Sequence, residues 1–200
     1  ESSQSLLRPT TVNDLAQTLL GEGYPFKESF HSYIDLISDD IETNFINDDL
    51  QIAVLNKWSA SFLWKKTMFE DLVMAGNAGT LTYETYYKKI KGCNVVMDNL
   101  EKVSGTSSEK NNVKAEALFL RSFYYFNLVN LFAKPYGVNG TIAENDPGVP
   151  LILSAEVTRE TIKRGTIAEV YRQIESDLLI SFELLSATPS NVYHPGKAAV

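Results

Sequence analysis

VKAEALFLRSFYYFNLVNLFAK, residues 113–134, is the stretch whose reading decides the fold. It holds no Gly or Pro. Phe119, Leu120, Phe123, Tyr124, Phe126, Leu128, Val129, Leu131 and Phe132 cannot share one stripe at 3.6 residues per turn. A helix that is apolar on nearly every face is a buried helix, wrapped by other elements. Phe123 is therefore expected in the core, where truncation to Ala costs about 3–5 kcal/mol. Lys114, Glu116 and Arg121, with Asn127 and Asn130, break the apolar run and argue against a membrane span. Ser107 and Ser108 lie upstream, and Pro135 and Gly137 stop the helix downstream.

Working outward, residues 83–103 form the clearest amphipathic helix. Tyr83, Tyr86, Ile90, Cys93, Met97 and Leu100 recur in steps of three and four, as a core-facing seam does. Residues 104–111 read as a turn, so this helix and 113–134 make an antiparallel pair. A second amphipathic helix spans 166–185, with Thr166 and Glu169 as a capping box. Laid together, the two amphipathic helices repeat: Thr82 matches Thr166, Tyr87 matches Tyr171, Ile90 matches Ile174 and Leu100 matches Leu184. Ala115, Phe119 and Ser122 fit the second helix of a tetratricopeptide unit. The expected fold is all-α: tetratricopeptide-like helix pairs stacked as a right-handed superhelix, with irregular loop excursions. Residues 1–200 are expected to be one domain, with irregular insertions at about 39–53 and 135–165.

Towards the N-terminus, 11–20 reads as a short helix capped by Thr11 and Asp14 and closed by Gly21 and Gly23. Residues 54–72 read as one helix, and 75–81 as a Gly-rich linker without the spacing or the Lys of a phosphate loop. Asp39 and Asp40 would suit a metal ion or an acid/base pair, or simply a solvated, capping turn.

The stretch AEALFLRSFYYFNLVNLFAKPYG resembles the AEAxFLRAFYYFxLVxLFGxxP hallmark of the SusD/RagB family, from Ala115 to Pro135. Ser122 replaces the usual Ala, and Ala133 stands where Gly is common. Phe62-Leu63-Trp64 with Met68-Phe69, the helix from Tyr83 with Asn94, and Gly148-Val149-Pro150-Leu151 also resemble family patterns. The resemblance implies a surface-exposed outer-membrane lipoprotein that captures oligosaccharide or another nutrient beside a TonB-dependent, SusC-like transporter. Its membrane contact would be a lipidated N-terminal Cys that this sequence lacks. Members are longer, and much of their ligand surface comes from loops beyond residue 200. The ends fit that: the sequence opens on Glu1-Ser2-Ser3, and 195–200 reads as the first turn of a further helix, as in a piece trimmed from a longer protein.

Composition narrows the function. A formal net charge of −7 leaves nothing to neutralise a run of phosphates, so nucleic acid is not an expected partner. One cysteine, Cys93, allows no internal disulfide and reads as a small core hydrophobe. His31 and His194 are far apart, no Ser or Cys has a nucleophile context, and no metal, nucleotide or cofactor motif is present. The chain is therefore not expected to be an enzyme or to hold a cofactor or metal. A sugar ring offers an apolar C–H face and a rim of hydroxyls, so a glycan site needs an exposed aromatic plate beside amide or charged groups. Trp64 and Tyr83 near Asn77 are the candidates; a Trp here could equally anchor the bundle. Tyr87, Tyr124, Tyr125 and Tyr171 sit on helix faces and are expected inside, their hydroxyls partnered. The alternative function is a helical-repeat protein-interaction domain with no ligand site of its own.

Overall fold

The computed structural model describes residues 8–25, 32–38, 42, 49–77, 82–137, 144–159, 161–189 and 193–200. Seven α-helices fall within them: α1 Val12–Thr18, α2 Ser32–Leu36, α3 Asp49–Phe62, α4 Met68–Met74, α5 Thr82–Asn99, α6 Ser107–Phe132 and α7 Ile167–Leu184. Among the described residues no strand forms, only isolated bridges at Thr11–Ser104 and Pro147–Thr166. No helix among them is long and apolar enough to cross a membrane. His31, Asp39 and Asp40 lie outside the described residues, as do 78–81 of the Gly-rich linker. The chain divides into two compact units, Glu1–Phe26 with Tyr86–Val200, and Lys27–Thr85.

The larger unit is built on α5, α6 and α7. Tyr86 meets the Tyr124 ring at 5.7 Å and Asn94 meets Arg121, so α5 and α6 run antiparallel. Arg121 meets Asp177 and the Ala115 carbonyl accepts from Ser181, so α6 and α7 are antiparallel as well. Small residues permit the close approach: Ala115 and Ser122 are buried on α6, as the tetratricopeptide spacing implied. On the opposite side, Gly92 of α5 lets a π-helical turn, Leu19–Gly23, come close; a Cβ there would stand 2.6 Å from the Glu22 backbone.

Among the described residues, three capping boxes set helix starts. Thr11 with Asp14 and Thr166 with Glu169 do so where the sequence places them. The third, Thr106 with Glu109, starts α6 at Ser107, inside what reads from sequence as a turn. Helix α1 is not closed by its glycines but runs on into the π turn.

The all-round apolar character of α6 divides in space. Tyr124, Tyr125, Leu128 and Val129 are buried, but Phe123 is 38% and Phe126 50% exposed. The expectation that Phe123 is core is corrected: on the 119–123–126–130 stripe Phe119 is half-buried and the other three are exposed, Phe126 and Asn130 meeting Tyr171 at the edge of α7.

The irregular stretch after α6 is held by side chains. Tyr87 donates to the Pro150 carbonyl at 2.8 Å, Asn94 to the Ile152 carbonyl at 2.7 Å, and Asp98 accepts from the Ala155 amide at 2.7 Å. Residues 87, 94 and 98 share one face of α5, so a polar helix face supplies the partners that a sheet would otherwise give this backbone. Tyr125 closes the same arrangement, donating to the Ile152 carbonyl and accepting from its amide. Burial pushes the Tyr125 hydroxyl up to about 12 and the Cys93 thiol up to about 12, so neither is an ionising group at neutral pH.

The centre of this unit is a buried charge pair. Arg121 Nε and Nη2 donate to the two Asp177 oxygens at 2.7 and 2.8 Å, and Nη1 donates to Asn94 at 2.9 Å. Gln173 supplies a further donor to Asp177 at 2.8 Å. Each charged atom has a partner, so the desolvation cost of burying both ions is offset within the network.

Candidate functional site

The smaller unit has a core of Tyr33, Ala60 and Leu72, against which Ile34, Trp58, Met68 and Phe69 pack. Ring contact of Phe69 with Tyr33, 5.5 Å and edge-on, joins α4 to α2. The two tryptophans part company here. Trp58 lies on the core side of α3, whereas Trp64 is 70% exposed.

What puts Trp64 outside is the way α3 ends. The 54–72 segment expected as one helix is two, α3 and α4, because the backbone turns left-handed at Trp64, with φ at 49°. The Lys65 amide reaches back to the Ala60 carbonyl, and the Trp64 amide to Ser61, each at 3.1 Å. This is a Schellman termination, in which one residue past the cap adopts αL and the orphan carbonyls find donors. The end of α4 repeats it: the Asn77 amide reaches Leu72 at 2.9 Å and the Gly76 amide reaches Val73 at 3.0 Å. There the left-handed position, φ 81°, is filled by Gly76. Glycine adopts αL without steric cost; a side chain pays about 1 kcal/mol.

The corner is braced by polar contacts. Thr67 Oγ1 donates to Asp71 at 3.2 Å, and Lys65 Nζ lies 3.5 Å from the same carboxylate. Lys65 and Asp71 remain partly open, their side chains 45% and 36% exposed. An exposed indole therefore stands next in sequence to a charged pair with donors and acceptors facing water.

The other two sequence candidates fall in the same unit. Tyr83, in the first turn of α5, is 41% exposed. Asn77 is 7% exposed, and its Nδ2 donates to the Lys57 carbonyl at 3.0 Å, tying the end of α4 to α3. Lys65 and Asp71 were not singled out from sequence; the signal available was their i, i+6 placement around a helix break, which is invisible while 54–72 is read as continuous.

The tyrosines expected inside all find hydroxyl partners. Tyr124 donates to the Gly23 carbonyl at 2.6 Å and Tyr171 to Asn130 at 3.3 Å, beside the Tyr87 and Tyr125 contacts above. A further buried group, Glu116, accepts from Tyr24 at 2.8 Å and from Asn112 at 3.0 Å, with His194 Nδ1 3.0 Å away. It joins the N-terminal segment, α6 and the segment after α7.

Comparison with known proteins gives a consistent result. The family model for SusD-like proteins, described as starch-binding and associating with the outer membrane, matches residues 26–200. The fold is similar to that of a SusD superfamily protein from Bacteroides thetaiotaomicron (TM-score 0.69, 22% identity, 95% of this chain and 40% of that one). It is also similar to a SusD-like carbohydrate binding protein from Bacteroides vulgatus (TM-score 0.65, 22% identity, 95% of this chain and 39% of that one). A laminarin binding SusD-like protein gives TM-score 0.57 at 21% identity, over 93% of this chain and 35% of that one. The chain thus spans 40% or less of the length of these solved structures. No curated protein matches it.

Proposed function

The chain belongs to the SusD-like family, and on that premise we propose that it is the glycan-capturing part of an outer-membrane uptake system. It binds oligosaccharide and carries out no reaction on it. Its partner is a TonB-dependent, SusC-like transporter, and its place is the cell surface, held by a lipid anchor.

The observation that carries this reading is Trp64. An indole that is 70% exposed has left the core, and it occupies a left-handed corner that glycine fills at the end of α4. Residues held in such conformations persist where the surrounding structure over-determines them, and they cluster at binding sites. Trp64 is the plate for a sugar's C–H face, Lys65 and Asp71 supply its hydroxyl partners, and Tyr83 adds a second aromatic surface. Asn77 serves by bracing the α4 terminus.

Calorimetry of the protein with maltoheptaose and with laminarin oligosaccharide tests this. Trp64→Ala is expected to weaken binding of the recognised glycan about tenfold or more, roughly 1.4 kcal/mol. Tyr83→Ala is expected to cost less. Unchanged affinity in Trp64→Ala would overturn the site, and no heat with any glycan would leave the protein-interaction reading in its place.

A further inference from the structure

Among the described residues two carboxylates are buried, Asp177 and Glu116. Asp177 is held by Arg121, whose charge is permanent. Glu116 is held otherwise. Its Oε1 accepts from Asn112, one turn earlier on α6, and its Oε2 meets Tyr24 and His194. Histidine is the side chain whose charge changes between about pH 5 and pH 8. The three segments that meet here are far apart in sequence, 92 positions between Tyr24 and Glu116 and 78 between Glu116 and His194.

The geometry says where the protons lie. The Tyr24 hydroxyl donates to Glu116 Oε2 at 2.8 Å. Burial, and then the Glu116 charge, push this hydroxyl above the usual phenol range, so it remains a donor. His194 Nδ1 stands 3.0 Å from the same Oε2 and 3.3 Å from the Tyr24 oxygen. Both are acceptors toward it, so Nδ1 keeps its proton whether or not the ring is charged, and the second proton goes to Nε2. With that proton the contact is an ion pair; without it, a hydrogen bond from a neutral ring. The His194 side chain is 22% exposed, open enough to exchange the proton with water, while Glu116 is 8% exposed. The other titratable groups nearby stand aside. Tyr124 of α6 donates to the Gly23 carbonyl. Cys93 of α5 lies behind Tyr24, its thiol pushed up to about 12 by burial, with Lys89 one turn earlier. On the histidine's own segment Tyr193 is exposed, and Lys197 Nζ lies 5.1 Å from the centroid of the Phe182 ring. Among the described residues His194 is thus the one cationic partner of Glu116.

We propose that His194 and Glu116 form a proton-operated clamp, which grips the segment after α7 more tightly as the surroundings acidify. Docked, the ring faces a carboxylate; released, it faces water. Acidification that charges the ring therefore favours the docked arrangement, and protonation of Glu116 at lower pH removes the gain.

Hydrogen exchange tests the proposal. The Lys197 amide donates to the Ser186 carbonyl at 3.1 Å and reports whether the segment is folded back on itself. The Gly148 amide, bonded to the Gly165 carbonyl at 2.7 Å and outside the clamp, is the reference. The ratio of their protection factors, each taken against the intrinsic rate at that pH, is expected to rise at least about threefold from about pH 8 to about pH 6. His194→Gln keeps an N–H donor and loses the charge, so its ratio is expected to stay level. A second measurement needs only the unaltered protein: the Hε1 resonance of the His194 ring, followed by NMR over the same range, should share its midpoint with the ratio. A level ratio in the unaltered protein, a rise that persists in His194→Gln, or two different midpoints would each overturn the clamp.

Discussion

The Arg121 node and the Trp64 corner break the inside-outside rule in opposite directions. At the first, two full charges are buried, with side chains 7% and 2% exposed, and every nitrogen and oxygen of the pair has a partner in Asn94, Gln173 or the opposite ion. At the second, the largest apolar side chain in the repertoire stands in water on a strained backbone. The first irregularity is compensated within the fold, and it belongs to the scaffold. The second has no compensation within its own unit's core, where Trp58 already serves. That difference is why Arg121 is read as scaffold and Trp64 is proposed as a binding residue.

The largest effect should come from breaking the node. Arg121→Met leaves Asp177 buried and unpaired, and urea denaturation should show a loss of about 3–5 kcal/mol. The double variant Arg121→Met, Asp177→Leu should recover most of it, since an apolar pair of similar volume removes the stranded charge. If the single variant lost less than about 1 kcal/mol, the node would not be the centre of the unit.

Next is a pair of neighbours on α6. Tyr124→Ala empties a fully buried site and should cost about 3–4 kcal/mol. Phe123→Ala, on the outward stripe, should cost about 1 kcal/mol in the 200-residue chain. Equal losses would mean that the stripe is covered.

A smaller, signed test compares the two helix ends. Trp64→Gly should raise stability by about 0.5–1 kcal/mol while removing the plate, whereas Gly76→Ala should lower it by about 1 kcal/mol. Stability and glycan affinity moving in opposite directions at Trp64 is the outcome that a purely structural tryptophan would not give.

The smallest effect is electrostatic. The Glu109 carboxylate is held below its ordinary 4.5, first by the Thr106 backbone amide, and Asp14 below its 3.8, first by the Thr10 amide. A depressed folded value means that the caps contribute fully above the unfolded values and lose their contribution as pH falls through the folded ones. Stability measured from pH 6 down to 3 should therefore decline, and Glu109→Gln should flatten part of that slope. Both groups are exposed, so the change is expected to be slight.

Much of the scaffold is legible in sequence because its signals are local. Thr11 with Asp14 and Thr166 with Glu169 show two helix starts, and the Tyr86–Ile90–Cys93 seam shows the buried face of α5. Thr106 with Glu109 carries the same signal for α6, but Ser107 and Ser108 beside it read as turn. The Arg121–Asp177 pair is not legible, since 56 positions separate the partners and many other carboxylates compete. The corner at Trp64 is hidden for a different reason. A left-handed helix end is normally announced by glycine, as at Gly76, and 63–67 contains neither glycine nor proline. The corner is obscure because it departs from local preference, and departures of that kind are expected at functional or strained positions.

The parting of the two tryptophans has an optical consequence. The chain has no others, so its indole emission is the sum of one ring against the Tyr33–Ala60–Leu72 core and one in water. Iodide should quench the second and largely spare the first. A glycan stacked on Trp64 would shield it and shift only the red part of the spectrum, while unfolding would move the blue part. Native fluorescence can thus report occupancy and folding as two separable signals, without a label.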